Sequence, residues 1–287
     1  MRLNRRGLAS LGMIAAATPA LTQTALAQTA LAQSPTSTWD AIRARKTLRI
    51  GAAPAEPWYA KDLATGGWTG VGAALGEQIA ADLGCTAEYV ETTYANAPAG
   101  LQAGQFDIMF VLDPTPARAM SIDFPFSPML YYALGFMTKE AAPARTWAEL
   151  DKPETTIAVP VGTSMDRWLT RNMKSATLAR MKTIDEAILH YQSGNSKFLV
   201  LFHPALIAYR LRIGQGTVIV PRPAVTSVAG VGIRREPDKA WRDYLTSILA
   251  FYYENGTIED LYRTYLAKRG MDPAAIPGIT KESLMRA

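Results

Sequence analysis

The stretch "KFLVLFHPALIAY", residues 197–209, decides how this chain is read. Six residues, "KFLVLF", form an apolar run too short for a buried helix and rich enough in branched and aromatic side chains for a buried strand. Pro204 then stands where a helix can open, because its fixed φ suits the first helical turn and its missing N–H has no partner there anyway. "PALIAYRLRIG" continues as a helix that Gly214 can stop. A strand running straight into a helix is the unit of an α/β protein. The turn carries His203, one of only two histidines in the chain.

The same alternation extends in both directions. Upstream, "TLRIGAA" (47–53) reads as a strand and "GAALGEQIAADLG" as a helix with Leu75, Ile79 and Leu83 on one face. "AEYVE" (87–91) is a strand, "APAGLQAG" a short helix, and "FDIMFVL" (106–112) a buried strand. This βαβαβ order implies a doubly wound parallel sheet. A second set comes next: strand "TIAVPV" (156–161), helix "GTSMDRWLTRNM", helix "TIDEAILHYQSG" with Thr183 and Glu186 at capping-box spacing, the opening strand and helix, and strand "TVIVP" (217–221). "AGVGIRR" (229–235) is a strand with no helix directly behind it. Two amphipathic helices close the chain, with Trp241, Tyr244, Leu245, Ile248 and Tyr252 on one stripe and Ile258, Leu261, Tyr262 and Tyr265 on the other. Two α/β lobes result. Segment 127–140 crosses from the first to the second, and 228–234 crosses back, which makes a hinge beside a cleft.

The first 32 residues read as a cleavable secretory signal: Arg2, Arg5 and Arg6, an apolar run, then A-x-A sites ending at Ala27 and Ala32. Pro19, Thr22, Gln23 and Thr24 interrupt the run, so it falls short of a membrane span. The Arg5-Arg6 pair also fits the twin-arginine route. Without that leader the formal charge falls from +5 to +2, since it carries three arginines and no acid. No basic cluster interleaved with aromatics remains, which argues against nucleic acid. The single cysteine, Cys85, rules out an internal disulfide and reads as a small apolar residue.

Motifs for chemistry are sparse. Two histidines and one cysteine lack metal-ligand spacing, so no metal or other cofactor is expected. "GTSMD" misses G-x-S-x-G at Asp166, and Thr163 or Ser164 reads as a helix cap instead. "VPVGTSM" does offer an anion site, since a strand ends and a helix N-terminus opens there. In "VLDPTPARAMSIDFPFSP" the only cation is Arg118, fit either for a two-pronged grip on a carboxylate or for a salt bridge to Asp113 or Asp123.

"LRIG", "EPWY", "WTGVGAALGEQIAADLG", "NAPAGLQAGQFDIMFV", "TPARAMSIDFPFSP", "VPVGTSMD" and "ENGTIEDLYRTYL", in that order, resemble family 3 of bacterial solute-binding proteins, the periplasmic receptors of ABC-type amino-acid uptake. The resemblance covers about residues 47–270. It implies two Rossmann-like lobes joined by a two-crossing hinge, the type II periplasmic binding protein fold. Lobe 1 would hold residues 45–134 and 229–270, lobe 2 residues 135–228, and a C-terminal tail residues 271–287. It implies a monomer in the periplasm that binds a small carboxylate-bearing solute, needs no cofactor, and docks on a membrane permease. Arg118, helped by Thr115, would hold the ligand carboxylate. Thr163 and Ser164 would meet it from the second lobe, and Trp58 and Tyr94 would line the side-chain pocket.

The sequence departs from the family at three places. Ala74 stands where an acidic residue is usual. His203 stands where the family places an aspartate for the ligand ammonium, and a neutral imidazole there would cost about tenfold in affinity. Asp113 stands where a hydroxyl or glycine is common, so it either supplies the missing negative charge or only turns the loop beside Pro114. The competing class is an enzyme on the same fold, similar to cyclohexadienyl dehydratases, with His203 or Glu56 as general acid. A sensory partner of a membrane receptor is the third class.

Overall fold

In the computed structural model, residues 37–62, 65–141 and 143–286 are described. The expected signal, residues 1–32, lies outside them.

Helix Thr38–Arg45 precedes β1 (Thr47–Ala52). A short hairpin of β2 (Ala60–Lys61) and β3 (Trp68–Thr69) leads into helix Val71–Asp82, then β4 (Thr86–Glu91), helix Ala97–Gln102 and β5 (Ile108–Phe110). Helix Pro116–Ala119 and β6 (Ile122–Asp123) complete the first pass. The nine-residue β7 (Leu130–Thr138) carries the chain to the second sheet. That lobe then adds β8 (Thr156–Pro160), helix Ser164–Asn172, β9 (Thr177–Met181), helix Ile184–Gln192, β10 (Phe198–Phe202), helix His203–Ile213 and β11 (Thr217–Ile219). The return runs through β12 (Thr226–Ala229) and β13 (Val231–Arg234) into helices Ala240–Glu254 and Thr257–Lys268.

The first sheet has the order β4-β1-β5-β13-β6 and the second β11-β7-β10-β8-β9. Both are mixed, where the alternation predicts all-parallel sheets. β1 runs parallel to β4 and β5, and β8 parallel to β9 and β10. β13 is antiparallel to β5 and β6, and β7 to β10 and β11. A parallel neighbour needs a helical crossover. β7 and β13 each arrive from the other sheet without one, so each enters in the opposite sense.

The two crossings pair with each other. The first half of β7 is antiparallel to β12, with Leu130 opposite Ala229 and Ala133 opposite Thr226. Its second half belongs to the second sheet. Gly230 joins β12 to β13, and a Cβ there would lie 3.0 Å from Pro114 and 3.2 Å from the Leu112 carbonyl. The return crossing therefore packs directly on the loop after β5.

The strand expected over 106–112 pairs only over Ile108–Phe110. Val111 is left-handed, φ 57°, which a β-branched residue adopts only under constraint from its surroundings. That turn takes residues 112–118 out of the sheet. The hairpin, β6 and β9 are too short or too irregular in hydrophobic pattern to have been legible. Cys85 packs against the first core. Among the described residues no helix is long and apolar enough to cross a membrane, and no cluster of His, Cys, Asp or Glu is placed to hold a metal.

The last residues are tied to the hinge. The Ile279 side chain is buried, its carbonyl accepts from the Tyr131 N–H of β7 at 2.8 Å, and its own N–H donates to the Glu259 carboxylate at 3.1 Å. Ile279→Ala should therefore lower stability by about 2–5 kcal/mol, the range for truncating a core isoleucine. Chemical denaturation checks this, and an unchanged midpoint would show that the segment does not brace the hinge.

Candidate functional site

The strands β1, β5, β8 and β10 end at one cleft, as carboxyl ends do in open α/β sheets. The loops beyond them line a narrow cavity that opens to solvent. A wider outer cleft, about 610 Å³, continues from it between residues 91–95 of the first lobe and 182–185 of the second. Of the residues singled out from sequence, Trp58, Tyr94, Asp113, Arg118, Thr163 and Ser164 line the inner cavity. Thr115 and His203 do not.

Arg118 sits in helix Pro116–Ala119 and is 4% exposed. Its Nη1 donates to the Asp113 carbonyl at 3.0 Å. Its Nη2 lies 3.4 Å from the Tyr94 carbonyl and 3.4 Å from the Gly162 carbonyl of the second lobe. Nε has no partner. Burial lowers the guanidinium pKa and the charge of Asp113 opposes that shift, but guanidinium stays protonated in proteins. Neither salt bridge open to Arg118 forms among the described residues, and Asp123 instead pairs with Arg235 and Lys239. Thr115 serves Arg118 indirectly. Its hydroxyl caps the helix by accepting the Arg118 N–H at 3.3 Å and lies 3.4 Å from the Arg167 guanidinium.

Asp113 is 5% exposed and lines the same cavity as Arg118. Its carboxylate accepts hydrogen bonds from the Tyr132 and Ser164 hydroxyls, and from Ser227 at 3.5 Å. Tyr132 and Ser227 come from the paired crossing strands β7 and β12, Ser164 from the second lobe. Burial raises the carboxyl pKa, while the Ser164 and Tyr132 hydrogen bonds and the Arg118 charge pull it back.

On the second lobe, Thr163 is the helix cap. It donates to the Pro160 carbonyl at 2.8 Å and accepts from the Asp166 N–H at 3.2 Å. The Asp166 carboxylate takes the Gly162 N–H at 3.2 Å, so that donor is not free for an anion. Ser164 and Met165 open the first turn, where N–H groups have no earlier carbonyl to bond within the helix.

His203 departs from its expected place. It begins the helix after β10 and is 1% exposed, but its ring turns away from the cavity. Its Nδ1 accepts the N–H of Ala133 in β7 at 3.1 Å. The reason is the accounting of buried donors: an N–H inside the hinge needs an acceptor, and the imidazole supplies it. The ring also meets the backbone of Pro277 and Gly278, and burial lowers its pKa to about 4. It is a neutral hinge residue. Glu56, the other acid considered, pairs with Arg269.

Tyr132, Phe202, Met165 and Ile184 also line the cavity and were not singled out from sequence. Phe202 stacks on Tyr132 with ring centroids 3.7 Å apart, which builds one wall. The only signal for Tyr132 lay in its place on the crossing segment, which borders the cleft by construction.

No curated protein matches this chain. Among solved structures, an ancestral amino-acid-binding protein described as a precursor of cyclohexadienyl dehydratase is 27% identical, covering 80% of this chain and 99% of its own, with TM-score 0.71. A putative ABC-transporter binding component from Wolinella succinogenes, complexed with lysine, is 23% identical over 77% of this chain and 95% of its own, TM-score 0.70. A solute receptor for L-cysteine from Neisseria gonorrhoeae is 21% identical over 84% and 99%, TM-score 0.72. The last two share the fold. The sequence pattern of one family matches residues 48–268, most of the chain, and with two mixed sheets around a cleft it settles the placement: this chain belongs to the bacterial extracellular solute-binding proteins, family 3.

Proposed function

We propose that this protein is the periplasmic solute-binding component of an ABC-type uptake system, and that it binds a small carboxylate-bearing solute, an amino acid or a related compound, between its lobes. The observation that carries the reading is Arg118. A guanidinium buried in the inter-lobe cavity, partnered by neutral carbonyls and with Nε free, is a cation waiting for an anion. Ser164 and Met165 at the helix N-terminus would meet the same carboxylate from the second lobe. Trp58 and Tyr94 would wall the side-chain pocket. Both lobes contribute to this one site, so a bound solute would favour closure, and the closed form would be the one a membrane permease recognises.

The competing reading, a lyase on the same fold, needs a general acid in the cleft. The ancestral neighbour described as a precursor of such an enzyme keeps that reading in view. Of the two candidates read from sequence, His203 lies outside the cavity with its Nδ1 bonded in the hinge, and Glu56 pairs with Arg269. Binding without chemistry is the better-supported function.

A thermal-shift screen over amino acids and simple carboxylates should raise the melting temperature, since a ligand at a hundredfold excess over its Kd stabilises the native state by about 2.7 kcal/mol. With the best ligand, Arg118→Ala should weaken binding about a hundredfold or more in titration calorimetry, two charge-assisted hydrogen bonds being lost, while circular dichroism shows a folded protein. Unchanged affinity would refute the carboxylate site. The leader makes its own prediction: protein recovered from the periplasm should begin after Ala27 or Ala32 by intact-mass measurement, and a chain retaining residues 1–32 would refute cleavage.

A further inference from the structure

Two charged side chains line the inner cavity, Arg118 and Asp113, and neither has an ionic partner there. The donors to Asp113 are three neutral hydroxyls, and Arg118 donates to neutral carbonyls. An ionised carboxylate offers about four acceptor sites, so three hydroxyls leave one unfilled. Buried charges in proteins are normally paired. Here one anion and one cation line the same cavity, coupled electrostatically but joined by no direct side-chain ion pair, and each keeps unused hydrogen-bonding capacity.

We propose that Asp113 is the residue that binds a ligand ammonium group, and that the cavity selects zwitterions whose side chains carry no charge. This rests on the carboxylate site at Arg118 and adds the second half of the ligand. With Arg118 and Asp113 both ionised, the empty cavity is neutral. A zwitterion keeps it neutral, whereas a plain carboxylate leaves one net negative charge desolvated and a cationic amino acid one net positive charge. The rest of the wall brings no third charge: Trp58, Met165, Ile184, Leu201 and Phe202 are apolar surfaces, and Tyr94, Tyr132, Thr163 and Ser164 offer only neutral polar groups. The two acids on the outer cleft already have partners: Glu91 pairs with Lys61 at 2.6 Å and Asp185 with Arg212 at 3.1 Å. A lysine or arginine side chain would have to displace one of those cations to reach a carboxylate there. Lys182 borders the outer cleft and makes glutamate the most demanding control.

Asp113 comes from the first lobe and replaces a charge that His203 does not supply. Its three hydroxyl partners come from the second lobe and both hinge strands. Burial holds its carboxyl above the ordinary carboxylate range, so an ammonium group brought against it relieves a standing desolvation cost.

Titration calorimetry on the purified protein tests this with L-alanine, L-leucine and L-phenylalanine, their des-amino acids (propionate, 4-methylpentanoate and 3-phenylpropanoate), L-lysine and L-glutamate. The best neutral amino acid should bind at least about tenfold more tightly than its des-amino analogue and than lysine or glutamate. In Asp113→Asn the preference over the des-amino analogue should collapse toward one. The wild-type ratios test the proposal even if that variant folds poorly. Des-amino acids binding as tightly as amino acids, or lysine or glutamate binding as tightly as the neutral ones, would overturn the proposal and leave the Arg118 site standing. A preference that survives Asp113→Asn would overturn the role of Asp113. No binding by any of these carboxylates would overturn the Arg118 reading, and this one with it.

Discussion

A carboxylate taken out of water must find donors, and Asp113 finds them on three other segments of the chain. Tyr132 and Ser227 stand opposite each other on the paired crossing strands, and Ser164 begins a helix of the second lobe. One side chain in a loop of the first lobe therefore draws the hinge and the second lobe to a common point. Arg118, whose guanidinium donates to the Asp113 carbonyl and reaches the Gly162 carbonyl, repeats the link with the opposite charge. The lobes meet through polar groups placed where a solute's polar groups would sit. Such a surface selects a ligand that satisfies those groups better than they satisfy each other.

The hinge gives these contacts a fixed geometry. β7 divides its hydrogen bonds between β12 and the second sheet, and β12 runs through Gly230 into the first. His203 fills the acceptor that Ala133 needs, and Ile279 takes the Tyr131 N–H. Groups from the second lobe and from the C-terminal segment thus converge on the same strand. That is why the histidine at the end of an apolar strand is neutral and buried: its Nδ1 serves a backbone donor inside the hinge, away from solvent.

Much of the cleft is set by strand ends, and strand ends are legible. The runs before Asp113, Thr163 and His203 announce strands, and in an α/β sheet the residues just past a strand's carboxyl end face the crevice. Arg118 is the only cation of its loop, and Thr163 precedes a helix with the spacing of a cap. The reading of His203 failed because it took a place in the chain as a direction in space. The helix starts on that residue, and the hinge N–H beside it claims the ring. Tyr132, Ser227 and Phe202 carried no local mark, because their role arises only when three separated segments meet.

The sequence by itself determined the alternation of strands and helices, the two lobes, the crossing segments, and the one loop that carries the two opposite charges. Hydrophobic period, caps and glycine stops are local properties, and local properties are written in neighbouring residues. Tertiary structure alone decided which buried group is paired with which. It reversed β7 and β13 in their sheets, gave His203 to the hinge and Glu56 to Arg269, and left Asp113 and Arg118 lining one cavity without a direct ion pair between them. The reason is physical: burial makes every donor, acceptor and charge seek a partner, and the partner within reach is fixed by the fold, at any distance along the chain.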